Sequence, residues 1–266
     1  MPTYTRFFVS APCTAARLLA LCILSASSVA LDAQSADQLV ALGDRESAAR
    51  RPAAALQYFE RAVQAEPRSY VALYKASRDA VDAGEFETNT ALRTTLYRKA
   101  TDYARRAIGV DPTDAEGHFH LARALGRTAL TLGPKERTRL AGDVRTQALK
   151  ALELQPKHPG ALHVMGVWNA EVMRLNGMQR MMAKAFLGGQ VLGTASWDAA
   201  IQYLEQSVSI EPDRLVHHLD LARVYRDANR AADARSSYES ALRAPLVDAN
   251  DDVYRQAAES ELRRLR

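Results

Sequence analysis

Leu42-Gly43, Ala55, Phe59, Ala62 and Pro67 decide the fold of this chain. Ala55, Phe59 and Ala62 are spaced i, i+4, i+7, which places them on one helical face. Leu42-Gly43 lies one helix earlier, at a crossing where a small residue lets two helices approach. Pro67 closes the unit, because proline cannot continue a helix and disfavours helical backbone at the residue before it. The Glu66-Pro67 ending returns as Asp111-Pro112, Gln155-Pro156 and Glu211-Pro212. Each return follows the same stripe: Ala100/Ala104/Ala107, Val144/Ala148/Ala151 and Ala200/Leu204/Ser207. A further unit carries Leu221-Ala222, Tyr225, Ala234, Tyr238 and Ala241.

The gaps in the first unit match the 34-residue tetratricopeptide pattern. Later prolines are farther apart than that, so the middle units hold insertions, the longest before Pro212. Period-2 alternation bounded by turn residues is missing, so no strand is expected. The expected architecture over 34–266 is an all-α, tetratricopeptide-like right-handed superhelix of about five helix hairpins. A final amphipathic helix, Asp252 to Leu265, is expected to cap it, with Val253, Ala257 and Leu262 inward and charges outward.

Composition supports a folded helical chain. Of 266 residues, 47% are hydrophobic and 25% charged, which argues against a disordered or fibrous protein. Lys and Arg number 35 and Asp and Glu 31, and the net charge of +4 does not mark a nucleic-acid binder. Residues 1–33 read as a signal peptide. Arg6 and Arg17 precede or flank a short apolar run, Leu18 to Leu24, and small residues lead to Ala30 and Ala33 as alternative cleavage points. The run is shorter than the roughly 20 residues a membrane helix needs. A lipoprotein signal would want a small residue before Cys22, where Leu21 stands. A mitochondrial presequence is the other alternative, for a eukaryotic source. Otherwise the expected location is periplasmic or extracellular. Both cysteines, Cys13 and Cys22, fall inside this segment, so a processed chain has no thiol chemistry.

Motifs for chemistry are sparse. Gly188-Gly189-Gln190-Val191-Leu192-Gly193-Thr194 lacks both the lysine and the preceding strand of a phosphate loop, and reads as a turn. The six histidines form no HExxH pattern. His118 and His218 fall at a packing position, where a hydrogen-bonded core histidine is the expected role. No paired carboxylates or Ser/His/Asp set can be assembled by spacing, so no catalytic residue, metal site or cofactor is expected.

The groove offers more. The register of the first helix of each hairpin puts Tyr74, Arg78, Phe119, Arg123, Arg127, His163, Arg223 and Arg226 on the concave face, together with Val81 and Leu219. Arg78, Arg123 and Arg223 share one repeat position. Guanidiniums beside Tyr74 and Phe119 suit a carboxylate or phosphate attached to something apolar. The alternative is that these arginines are bridged to Asp82, Glu171 and Asp227. His163 either positions a ligand or bonds Trp168 or nearby backbone. The insertion after Met173, with Met178, Met181, Met182 and Phe186, is soft and apolar and is flanked by Arg174, Arg180 and Lys184. It either packs across the solenoid or meets lipid or an anionic membrane surface.

Ala161-Leu162-His163-Val164-Met165-Gly166-Val167-Trp168, the insertion ending Ala185-Phe186-Leu187-Gly188, and Ala199-Ala200-Ile201 resemble the regulator of microtubule dynamics family. Leu219 to Tyr225 and the later Asp251-Asp252 resemble it too, and the chain reads as a bacterial secreted member. The resemblance implies a tetratricopeptide-like domain with no catalytic residues to transfer. Animal members are linked to microtubules and mitochondria, and one tethers membranes and carries phospholipid. The expected function is a non-catalytic, exported binding scaffold holding an acidic peptide or protein segment in the groove. Phospholipid binding or carriage is the alternative, with peripheral membrane contact and no nucleic-acid partner.

Overall fold

The computed structural model describes residues 34–187 and 193–265. The signal reading of 1–33 and most of the glycine turn at 188–192 lie outside the described residues, as do the side chains of Met182 and Phe186. Among the described residues there are twelve α-helices and no strand. Five antiparallel hairpins stack in chain order. They are α1 (Ala36–Ala48) with α2 (Pro52–Ala65), α3 (Tyr70–Phe86) with α4 (Thr90–Val110), and α5 (Ala115–Ala129) with α6 (Pro134–Leu154). Then α7 (Pro159–Arg174) pairs with α9 (Trp197–Ile210), with α8 (Gly177–Leu187) inserted between them, and α10 (Leu215–Asp227) pairs with α11 (Ala231–Arg243). Helix α12 (Asp251–Arg264) ends the chain. The fold is a tetratricopeptide-like helical superhelix.

The repeated X-Pro ending has one geometry. Glu66, Asp111, Gln155 and Glu211 are the C-caps of α2, α4, α6 and α9. Their φ values lie at −136, −136, −135 and −123°, and each donates its N–H to the carbonyl four residues back. Proline then forbids a return to helix. Two residues on, the next helix begins at a fixed place. Ser69, Asp114 and His158 accept the N–H of Ala72, Glu116 and Ala161, so their side chains satisfy amides left orphaned at a helix start. Arg214 holds the equivalent place without a side-chain cap.

The periodic stripe is the core. Ala55, Ala100, Ala200 and Ala234 are fully buried; so are Phe59, Ala104, Ala148, Leu204 and Tyr238, and Ala62, Ala107, Ala151, Ser207 and Ala241. Opposite them the crossing residues are small. A Cβ on Gly43 would lie 2.5 Å from Phe59 Cε1, and one on Gly166 would lie 2.5 Å from Leu204 Cγ. The insertions of the second and third units are absorbed by lengthening: α4 and α6 each run 21 residues. Among the described residues only the fourth unit adds an element, α8, which packs against α6 and buries Ala183 in the core cluster of Trp168 and Met165.

Two expectations need correction. Val81 and Leu219, placed on the groove by register, are buried in core clusters. They sit where the inner face turns into the inter-helix seam. Val253 is not on the inward side of α12; it is 54% exposed, while Ala258 is fully buried. Tyr254, Ala258 and Leu262, spaced i, i+4, i+8, form the packed stripe instead.

Candidate functional site

The first helix of each hairpin carries the arginines that the register reads onto the concave face, and Arg78, Arg123, Arg127, Arg223 and Arg226 are each engaged. Arg78 donates through Nε to Asp79 Oδ2 at 2.9 Å and through Nη2 to Ser47 Oγ at 2.9 Å. Its guanidinium also lies 5.8 Å from the Phe59 ring centroid. Arg123 bonds Asp82, one turn further along α3, and Arg127 pairs with Glu85 Oε1 at 2.6 Å. Arg223 bridges Asp220 Oδ1 at 3.0 Å and Glu261 Oε1 at 2.7 Å. Arg226 bridges Asp227 at 2.9 Å and Glu261 Oε2 at 2.9 Å. Of the carboxylates read from sequence as alternative partners, Asp82 holds Arg123 and Asp227 holds Arg226; Glu171 pairs with Arg174 at 2.6 Å.

One of these carboxylates, Glu261, comes from the far end of the chain. Helix α12 lies against the inner face. Tyr254 donates its hydroxyl to Glu85 Oε2 at 2.7 Å and accepts from Arg127 Nη2 at 3.1 Å. Asn250 also donates to Glu85. At the other end of the helix, Glu261 accepts from Arg223, Arg226 and Tyr238. Asp252 reaches Arg50 at the turn between α1 and α2, at 2.9 Å. Arg50 takes a left-handed conformation there, with φ of 58°. Burial alone would raise the Glu261 carboxyl, but Arg223 and the Tyr238 hydroxyl hold it below its ordinary value. Burial pushes Tyr254 up, and the Glu85 carboxylate adds to that.

A second polar chain feeds this cluster. His163 does not bond Trp168, whose indole donates to the Ala141 carbonyl at 2.8 Å. It pairs through Nε2 with Asp220 Oδ2 at 2.9 Å, and its ring lies 4.8 Å from that of His217. Burial would raise Asp220, but His163 and Arg223 keep it well below the usual carboxylate range. The links His163–Asp220–Arg223–Glu261–Arg226–Asp227–Arg174 are continuous across α7, α10 and α12.

Tyr74 and Phe119 belong to a different cluster. Tyr74 stacks on His120, with centroids 5.7 Å apart and planes at 6°. Phe119 sits between His120 and His158, 4.7 Å from each, over the bare Cα of Gly160. The two imidazoles share Glu116 at 3.3 and 3.4 Å. His158 Nδ1 accepts the Ala161 N–H at 3.1 Å, so Nε2 is the ring nitrogen that faces Glu116. Burial would raise Glu116; the two histidines hold it far below its ordinary value. Burial lowers His120. His118 and His218 bond the carbonyls of Pro112 and Pro212 from one repeat position; His118 is buried as a core histidine, whereas His218 is only half-buried.

On α8, Met178 and Met181 are 73% and 67% exposed. Two open clefts flank the inner face and the insertion. The first, of ≈270 Å³, is lined by Asp44, Ser47, Arg78, Asp79, Asp82 and Asp248. The second, of ≈350 Å³, lies between Arg145, Met165, Trp168, Asn169, Tyr203 and Gln206. Among the described residues, no group of three or more His, Cys, Asp or Glu is arranged to hold a metal ion, and no helix is long and apolar enough to cross a membrane. Sequence reading missed Glu85, Asp220, Tyr254 and Glu261. Asp220 had a local signal, three residues before Arg223. Tyr254 and Glu261, seven apart, share a helical face.

The model of the family described as regulator of microtubule dynamics protein 1-3 matches residues 32–266. The chain belongs to this family. Regulator of microtubule dynamics protein 1 of Mus musculus is 26% identical over 141 residues, 53% of this chain and 45% of that protein. Regulator of microtubule dynamics protein 3 of Mus musculus is 21% identical over 188 residues, 70% of this chain and 40% of that protein. The chain thus spans less than half the length of the curated relatives it matches. A tetratricopeptide-repeat protein of Thermus thermophilus superposes with a TM-score of 0.61 at 21% identity, covering 85% of this chain and 100% of the other. It shares the fold.

Proposed function

We propose that this family member is a non-catalytic, exported scaffold whose inner face binds an acidic peptide or protein segment. One observation carries the reading: five arginines on the inner helices, Arg78, Arg123, Arg127, Arg223 and Arg226, all engage carboxylates in the structure. Such a row grips carboxylates by charge-assisted hydrogen bonds, and a solenoid gathers many modest contacts along one surface. The test is capture of immobilised Asp/Glu-rich peptides, with Lys-rich peptides as controls, by the chain and its Arg78→Ala, Arg123→Ala and Arg223→Ala variants. Circular dichroism checks that each variant is folded. Weaker capture with reduced salt sensitivity is expected. Unchanged capture in all three removes the inner face from the reading.

A second reading, phospholipid binding, has its own support in the exposed Met178 and Met181 on α8, beside Arg180 and Lys184. Native mass spectrometry of protein purified from cells, followed by lipid extraction, tests it. Co-purified phospholipid supports it, and protein free of lipid argues against it. Export is tested by fractionating cells that express the full chain.

A further inference from the structure

Helix α12 occupies the inner face with the chemistry expected of a ligand. It presents Tyr254 and Glu261 on one side, seven residues apart, to Glu85 with Arg127 and to Arg223 with Arg226. Its N-terminal end is tied by Asp252 to Arg50 and by Asn250 to Glu85. Apolar burial along α12 is thin: among its own residues only Asp251 and Ala258 are buried. The remainder is half-buried contact by Tyr254, Ala257 and Leu262 with the last hairpin. The helix is therefore held largely by ion pairs and hydrogen bonds at partly wet positions. Such pairs contribute roughly 0.2–1 kcal/mol each and weaken in salt. A segment held this way opens at far lower free energy than the buried hairpins.

We propose that α12 is a built-in stand-in for a partner's helix, and that the partner is an acidic amphipathic helix with a tyrosine one face-repeat before its gripping carboxylate. This rests on the scaffold reading above and names its partner. Binding is then an exchange: α12 leaves the arginines and the partner helix takes them. The tether makes α12 a competitor at a local concentration of about millimolar. A partner must bind more tightly than that to displace it.

The experiment uses the full chain and a fluorescent synthetic peptide covering residues 248–264. In the loosened chain, Tyr254→Ala and Glu261→Ala are combined, so that its own helix grips poorly. The peptide is expected to bind the loosened chain at least ten-fold more tightly than the unmodified one. Binding is expected to fall in 500 mM NaCl and in a loosened chain that also carries Arg223→Ala and Arg226→Ala. Equal affinity for the two chains overturns the proposal, as does equal affinity for a peptide with both Tyr254 and Glu261 replaced by alanine. If the loosened chain does not fold, hydrogen exchange on the unmodified chain decides. Amides of α12 are expected to exchange at least ten-fold faster in 500 than in 50 mM NaCl while those of α10 do not change. Equal protection of α12 and α10 at both salts overturns it. Capture of Asp/Glu-rich peptides that depends on the arginines but does not improve on loosening leaves the scaffold reading standing and removes this one.

Discussion

His217 makes the fold sensitive to acid, and the size of the effect follows from its surroundings. Ser207 gives its hydroxyl proton to the Pro159 carbonyl at 3.0 Å, so its oxygen is left to accept from His217 Nδ1 at 3.0 Å. The ring therefore carries a proton on Nδ1, and it is only 3% exposed. Burial, followed by the neighbouring His163, lowers its pKa from 6.5 to about 2; Arg214 and His218 act the same way and Asp220 opposes them. The folded value lies below the unfolded one, so the unfolded chain takes up the proton first. The stabilisation is complete above pH 6.5 and drains away as pH falls from there toward 2. The slope is about 1.4 kcal/mol per pH unit, which makes about 2 kcal/mol between pH 8 and pH 5. His217→Gln keeps a donor for Ser207 and cannot titrate. Urea unfolding of both proteins at pH 5, 6, 7 and 8, followed by helical circular dichroism, reads the difference directly. The variant is expected to lose about 2 kcal/mol less than the parent over that range. His120, also lowered by burial, is present in both and cancels. Parallel stability curves would refute the argument, because they would mean that the buried ring takes up a proton as easily as an unfolded one.

Gly166→Val is expected to destabilise the chain by about 1–3 kcal/mol or more, since the new Cβ would meet Leu204 Cγ at 2.5 Å and the Ala200 carbonyl oxygen at 3.1 Å, and backbone cannot swing aside. A thermal melt that matches the parent would show that the two helices can separate freely. Asp79 works in the opposite sense to His217. Burial raises its carboxyl to about 6 against the pull of Arg78, so the folded chain prefers the protonated form and loses stability as pH rises from 4 to 6. Asp79→Asn is expected to flatten that fall, as read from unfolding midpoints across the range; an unchanged slope would mean that Arg78 and Ser47 compensate the burial in full.

The fold was legible because its signals are local. Glu66-Pro67 and its three repeats each act within a few residues: the proline stops one helix, and the residue two positions later starts the next. Phe59 against Gly43 is likewise a contact inside one hairpin. The same reading placed Arg78, Arg123 and Arg223 on one row, because a repeat position carries over from unit to unit. It failed where position alone does not decide direction. Val81 and Leu219 share the inner-face register yet turn into the seam between helices, and Val253 is displaced outward by the stripe of Tyr254, Ala258 and Leu262. The occupant of the groove was out of reach for a different reason. Tyr254 meets Glu85 across 169 positions and Asp252 meets Arg50 across 202. Those meetings depend on the summed rotation of five hairpins, and no single repeat encodes that sum.

The closure also changes how the stack holds together. In an open solenoid each hairpin touches only its neighbours, and stability is close to a sum of repeat and interface terms. Here the first hairpin, through Arg50, and the second, through Glu85, are bonded to a helix that is packed on the fifth. Each contact is weak by itself, but α12 makes them together, so opening one end releases part of the other. The carboxylates of α12 serve this closure and the arginine row alike. With α12 in place Arg223 and Arg226 gain Glu261 as a shared second carboxylate, beside Asp220 and Asp227 of α10. Whatever acidic helix replaces α12 must therefore satisfy the same arginines, and the chemistry of the occupant now in the groove is the most direct description of the one that displaces it.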